Sequence, residues 1–127
     1  DPAQVARWSR STLDASGDAR QRQAALQSLG ELCDPHDRPR LLQALGDDDP
    51  DVRLCALQAL RRQATAGDGQ SLVRLLSDRS WWVRQEAANA LVALPGTTRG
   101  GIAALIGQVD DRYGKDALLR ALAERPA

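Results

Sequence analysis

The sequence contains no phenylalanine and no methionine, and its aromatic side chains are limited to three tryptophans and one tyrosine. A sheet core, which favours β-branched and aromatic residues, is poorly supplied. No stretch sustains the apolar/polar alternation of a strand, so the interior has to be built from Leu, Ala and Val in closely packed helices. Cysteine is scarce too. Cys33 and Cys55 do not make a disulfide framework; Cys55 reads as a small apolar residue inside a helix, Cys33 as a residue at a helix end, and a reduced compartment follows. His36 is the single histidine. Its spacing from Cys33 resembles a ligand pair, but a four-ligand metal site needs two more soft ligands. A nucleophile elbow, a Gly-rich phosphate loop and a paired-carboxylate motif are all missing, and Gly100-Gly101 opens a helix without a preceding strand. Catalytic residues, a metal and cofactors are therefore not expected, and the chain reads as a non-enzyme. Seventeen basic and seventeen acidic residues cancel, leaving no basic excess to drive nucleic-acid binding. No apolar run reaches the length of a membrane span, and no signal peptide is present. Lys115 is the only lysine, an arginine bias that leans towards a high-GC bacterial source. A chain that opens on Asp1 and has no methionine reads as a piece of a longer protein, and a cytoplasmic location is expected.

What the sequence does contain is a repeat. Stepping by 31 residues aligns Asp18, Asp49, Ser80 and Asp111, all suited to cap a helix N-terminus with a side-chain oxygen. The same step aligns the basic residues Arg22, Arg53, Arg84 and Lys115, the small or apolar Ala25, Ala56, Ala87 and Leu118, and the leucines Leu29, Leu60, Leu91 and Leu122. Pro50 stands at a first helical position, where its missing N–H costs nothing. Asp18 and Gln21 have capping-box spacing. Val52, Ala56 and Leu60 share one helical stripe, as do Val83, Ala87 and Leu91.

A shorter helix is expected before each of these. Leu41, Leu42 and Leu45 form the apolar stripe of one; Leu72, Val73, Leu75 and Leu76 of the next; Ile102, Leu105, Ile106 and Val109 of the last. Val5, Trp8 and Leu13 are expected to form that of the first. Asp1, Asp34 or Asp37, Asp68, and Thr97 or Thr98 are the expected starts. Asp34-Pro35, Gly67 to Gly69 and Pro95-Gly96 separate the pairs. The expected unit is helix, tight turn, helix, loop, repeated over approximately 1–33, 34–66, 67–95 and 96–127 in a single domain spanning 1–127.

Asp49-Pro50-Asp51-Val52-Arg53 followed by Ala56 and Leu60 resembles a HEAT repeat of the short variety named after phycobilisome lyases, and Ser80-Trp81-Trp82-Val83-Arg84 with Ala87 and Leu91 resembles it again. The outer repeats depart from it: Gln21 and Gly114 stand where the family has Val, and Lys115 where it has Arg. The resemblance implies an all-α fold, a right-handed α-α superhelix of about eight helices in four pairs. It also implies a surface that mostly binds proteins. Relatives of this kind include a chromophore lyase, whose catalytic residues do not map here, and DNA glycosylases, which need a basic groove.

Four sets of residues are candidates for a role. The ladder Arg22, Arg53, Arg84 and Lys115 is read as structural, with planar guanidinium groups bonding turn carboxylates and carbonyls across repeats, in preference to a site for an acidic ligand. Gln27, Gln58, Asn89 and Arg120 form a second row. With Leu54 and Gln85, and with Gln23 and Asp116, they belong to the exposed face of the second helices, the concave one by resemblance. Amides there can recognise polar partners or simply favour helix, and both readings stand. Trp81, Trp82 and Tyr113 fall in the first turns of second helices, where at least one indole is expected to be exposed; large rigid rings are typical anchors. The caps Asp18, Asp49, Ser80 and Asp111 complete the list. The expected function is a non-catalytic protein–protein interaction scaffold, binding another protein or another domain of its own chain and not nucleic acid. The alternatives are a module that meets a membrane surface through the aromatic edge, and an accessory of the lyase-like class.

Overall fold

The structure is a computed structural model that describes residues 1–15 and 17–125; Pro126 and Ala127, which end the fourth expected repeat, lie outside the described residues. Among these the chain is all helical, with α1 (Pro2–Asp14), α2 (Ala19–Leu32), α3 (Arg38–Ala44), α4 (Pro50–Arg61), α5 (Gly69–Arg74), α6 (Trp81–Val92), α7 (Arg99–Gln108) and α8 (Arg112–Glu124). Single 3-10 turns, Pro35–Asp37 and Ala66–Asp68, lead into α3 and α5, and a third, Leu75–Ser77, extends α5. The helices fall into two compact units, Asp1–Gln63 carrying α1 to α4, and a second that begins at Ala64 and carries α5 to α8.

The second helix of every pair begins in the same way. Asp18 accepts the Gln21 N–H at 2.9 Å while the Gln21 side chain accepts the Asp18 N–H at 3.3 Å. Asp49 accepts from Asp51 and Val52 at 2.8 and 3.2 Å. Ser80 accepts from Val83 at 3.5 Å, and Asp111 from Tyr113 at 2.9 Å. Each satisfies N–H groups that have no partner within the helix, a contribution of about 0.5–2 kcal/mol. α2 ends on Cys33, which takes a left-handed conformation (φ 51°) and returns its N–H to the Leu29 carbonyl.

In the first unit α2 packs between α1 and α4, and α3 lies on α4. Ala25, Leu26, Leu29, Leu41, Val52, Ala56, Leu57 and Leu60 are buried there, each full-sized side chain contributing about 1.5–3 kcal/mol of apolar burial. α2 and α4 approach so closely at Gly30 that a β carbon there would stand 3.0 Å from that of Ala59. In the second unit α6 packs on α5, on the Leu75–Ser77 turn and on α8, and α7 lies on α8. Leu72, Leu76, Val83, Ala87, Ala88, Leu91, Ile102 and Leu118 are buried.

Three expectations need correction. Val5 and Trp8 do not form the inner stripe of α1: they are 40% and 47% exposed, and the buried residues are Ala6 and Ser9, with Leu13 half-buried. The stripe facing α2 uses small side chains, which let the two helices approach, and the bulky ones are left on the other side. Leu42 likewise stands exposed while Leu41 and Leu45 are buried. Gly114 is not merely a lapse from the family's Val. It is buried, and a β carbon there would lie 3.1 Å from the Leu76 carbonyl oxygen and 3.2 Å from Val109. α8 therefore seats against the Leu75–Ser77 turn only because that side chain is absent.

Candidate functional site

The basic column closes turns. Arg53 Nη1 donates to the Asp47 and Asp48 carbonyls at 2.8 and 3.1 Å. Arg84 Nη1 donates to Asp78 and Arg79 at 2.8 and 3.2 Å, and Arg22 Nη1 to the Gly17 carbonyl. In all three an acceptor lies one residue before the helix cap, and Arg53 and Arg84 also take the carbonyl two residues before it, so each arginine folds back onto the turn that delivers its own helix. Lys115 makes no such bond among the described residues. Arg22 also reaches the next repeat, gripping Asp47 with Nε and Nη2 at 2.8 and 3.1 Å. Burial pushes the Asp47 carboxyl up, but the bonds from Arg22 and the Asp49 N–H outweigh it, and its pKa is lowered.

A second set of pairs joins α1 to the α3 segment. Arg10 binds the buried carboxylate of Asp37 through Nε and Nη2 at 2.7 and 2.9 Å and reaches Asp34 at 3.1 Å. Arg40 returns the grip, binding Asp14 through Nε and Nη2 at 3.2 and 2.9 Å. In the sequence Asp37 stands out only as a helix start. Its one sign was Asp68, one period on and also buried. A cleft of about 600 Å³ lined by Asp14, Arg22, Arg40 and Asp47 lies beside these pairs, but its guanidinium and carboxylate groups already satisfy one another.

The aromatic residues are arranged differently. Ser80 starts α6, so Trp81 and Trp82 occupy its first two positions, before the inward stripe begins at the buried Val83. Trp81 is 43% exposed, Trp82 68%, and Tyr113 51%. The two indoles meet edge to face, with centroids 4.8 Å apart and planes at 88°. The Arg120 guanidinium lies 5.7 Å from the centre of the Trp81 ring. Arg84 and Arg112 lie 5.1 and 4.8 Å from the centre of Tyr113, and Arg112 also donates to the Tyr113 hydroxyl at 2.9 Å.

Arg120 therefore unites two sets that the sequence reading held apart. Trp81, Gln85 and Asn89 follow one another at four-residue spacing and share a stripe of α6. Arg112, Asp116 and Arg120 do the same on α8, and an arginine side chain leans back towards its helix N-terminus. The row is less open than expected. Leu54, Gln85 and Asn89 are half-buried, while Gln27, Gln58 and Arg120 are exposed. Gln85 is held in place by donating to Asn89 and to the Ala117 carbonyl of α8, both at 3.2 Å. In the first unit, Gln27 and Gln58 border a shallow groove of about 130 Å³ floored by Cys55 and Ala59. Gln27 donates weakly to the Cys55 sulfur at 3.9 Å, and burial pushes that thiol's pKa up.

His36 is exposed and bonded to Asp34 at 3.0 Å, and the Cys33 thiol donates to the Gly30 carbonyl at 3.0 Å. Among the described residues no three His, Cys, Asp or Glu side chains converge as metal ligands, and no helix is long and apolar enough to cross a membrane.

Helix pairs whose second helix is capped and whose turns are closed by arginines, recurring in both units, define a helical-repeat protein. The model of the HEAT repeats matches residues 10–92, about two thirds of the chain, and the chain belongs to that family. HEAT repeats commonly act as scaffolds for protein–protein interaction and are typically non-catalytic. The match includes Trp81 and Trp82 and stops short of Tyr113, Arg112 and Arg120. A search of the curated proteins returned no match.

Proposed function

We propose that this chain is a non-catalytic protein-interaction module, the four helix pairs of 1–127 acting as one domain of a longer bacterial, cytoplasmic protein of the short, phycobilisome-lyase-type HEAT variety. The partner is another protein or another domain of the same chain, and it seats on the face made by Trp81, Trp82, Tyr113 and Arg120. The observation that supports this reading is the exposure of three of the chain's four aromatic rings at the starts of α6 and α8, with Trp81 and Tyr113 each lying against arginines. Solubility alone gives no reason to keep such a cluster in water, and Trp, Tyr and Arg are the residues that dominate interface energetics. The Arg22, Arg53 and Arg84 ladder then serves the turns, and the caps serve the helices.

A photo-crosslinking residue placed at Trp82 in the source cell tests this. The expected result is a discrete protein adduct that disappears when Trp81→Ser is added and is absent when the crosslinker stands at Gln4. Lipid adducts in place of a protein band would move the assignment to a membrane surface, and adducts equal at both positions would remove the site.

A further inference from the structure

We propose that this same face takes an acidic, extended peptide segment. Its carboxylates would sit on Arg112 and Arg120, and an apolar side chain on the exposed Trp82 ring. The inference rests on the reading of the face as the partner site.

The argument begins with how the two arginines are held. Arg120 lies against Trp81 and Arg112 against Tyr113, and both side chains belong to exposed residues. A guanidinium attracted to the face of a ring is oriented by that contact, while its N–H donors lie in its own plane and remain directed past the ring. Arg112 uses one donor on the Tyr113 hydroxyl. The remaining donors of the two groups form forks fixed before any ligand arrives, and a carboxylate matches such a fork with two parallel bonds. Beside them Trp82, 68% exposed, offers the largest open apolar surface of the cluster.

The stripe also sets spacing. Asp116 is exposed and lies between Arg112 and Arg120 at helical spacing, so the order along α8 is positive, negative, positive. The two arginine α carbons are separated by about 12 Å, eight residues at the helical rise. Arg120 reaches back to Trp81 and shortens the gap between the charged groups, so acidic residues two or four positions apart, whose side chains share one face of an extended segment, span it. When they are four positions apart, the residue midway shares their face, lies opposite Asp116 and is uncharged or basic. A continuous anionic lipid surface would press charge on Asp116 as well as on the arginines, whereas a peptide can place charge and leave a gap. Gln85 and Asn89, next along the α6 stripe, offer amides suited to a peptide main chain.

Selection from a random peptide library against the full chain, compared with the Arg112→Gln/Arg120→Gln chain and with the Trp81→Ser/Trp82→Ser chain, tests the inference. The expected winners carry two Asp or Glu residues separated by one or three positions, with an aromatic or aliphatic neighbour, and are enriched only by the unaltered chain. A synthesised winner should shift tryptophan emission in a Trp8→Tyr background. Its affinity should fall about tenfold in the Arg→Gln chain, the scale of two exposed charge pairs. Arg112→Lys/Arg120→Lys should lose part of that affinity, and circular dichroism should match the parent throughout. Neutral or basic winners that still require Trp81 and Trp82 would overturn the acidic ligand and leave the face standing as a partner site. Absence of any tryptophan-dependent winner removes both, and Trp-dependent pelleting with phosphatidylserine vesicles in its place assigns the face to lipid.

Discussion

The two units use the same column of arginines against different partners. In the first, Arg22 reaches one repeat forward to the carboxylate of Asp47. The position of Asp47 becomes Asp78 one period later and Val109 one period after that. Where the carboxylate has gone, Arg84 lies instead against the Tyr113 ring. Replacing one acid by Val and placing Tyr four residues on converts a charge pair into a cation–ring contact. The ring, unlike a paired carboxylate, keeps half its surface in water. The repeat thus holds its shape in one unit with complementary charges, and in the other with a cation–ring contact whose ring stays half in water.

The largest test of the comparison removes the feature common to both units. Leu60→Ala in α4 and Leu91→Ala in α6 are each expected to cost about 2–5 kcal/mol in chemical denaturation, as for buried leucines elsewhere. Losses under half that range in one unit only would mean that the two cores are not equivalent. Next in size is Gly114→Val, which restores the family residue where α8 meets the Leu75–Ser77 turn. Overpacking there should destabilise by about 1–3 kcal/mol, read as a lower melting temperature; a gain in stability would refute the close approach.

A smaller effect separates the units by pH. Asp47, held low by Arg22 and the Asp49 N–H against the upward push of burial, and Asp34, held low first by the His36 N–H and then by its side chain, both have folded pKa values below the unfolded one. The stability they supply is fully present above the ordinary aspartate value of about 3.9 and is lost as pH falls through the lowered values. Amide exchange followed down this range should show α1 to α4 opening as acid is added, and Asp47→Asn should remove part of that dependence. An acid response unchanged by Asp47→Asn would mean that the pair contributes nothing. Smaller still is the coupling of Arg84 to Tyr113, expected at about 0.5–1 kcal/mol in a double-mutant cycle with Arg84→Ala and Tyr113→Leu. Trp81→Ser/Trp82→Ser closes the series, with stability expected within about half a kcal/mol of the parent.

Much of this was legible in the sequence because it is local. Asp49 and Pro50 announce the start of α4 within three residues, and the 31-residue step carries the same reading to α2, α6 and α8. The inward column at Ala25, Ala56, Ala87 and Leu118 follows from it. Contacts over long separations leave no such trace. Arg10 and Asp37 are 27 residues apart, and nothing beside either one marks the other. In α1 size outweighs hydrophobicity: the small Ala6 and Ser9 are buried while Trp8 stays exposed. Trp81 and Arg120 stand in different columns of the repeat, and their contact depends on the backward lean of a long side chain that column position does not record.

The backward reach of Arg22, Arg53 and Arg84 has one more consequence, for inheritance. Each of these residues fastens the turn ahead of its own helix from within the same 31-residue block. Each block thus carries within itself a bond that closes its entry turn, to which Arg22 adds a grip on Asp47 from the block before. Such a block can be duplicated, deleted or moved in a gene as a whole. Its surface residues are then free to diverge copy by copy, as they have between Leu54 and Gln85.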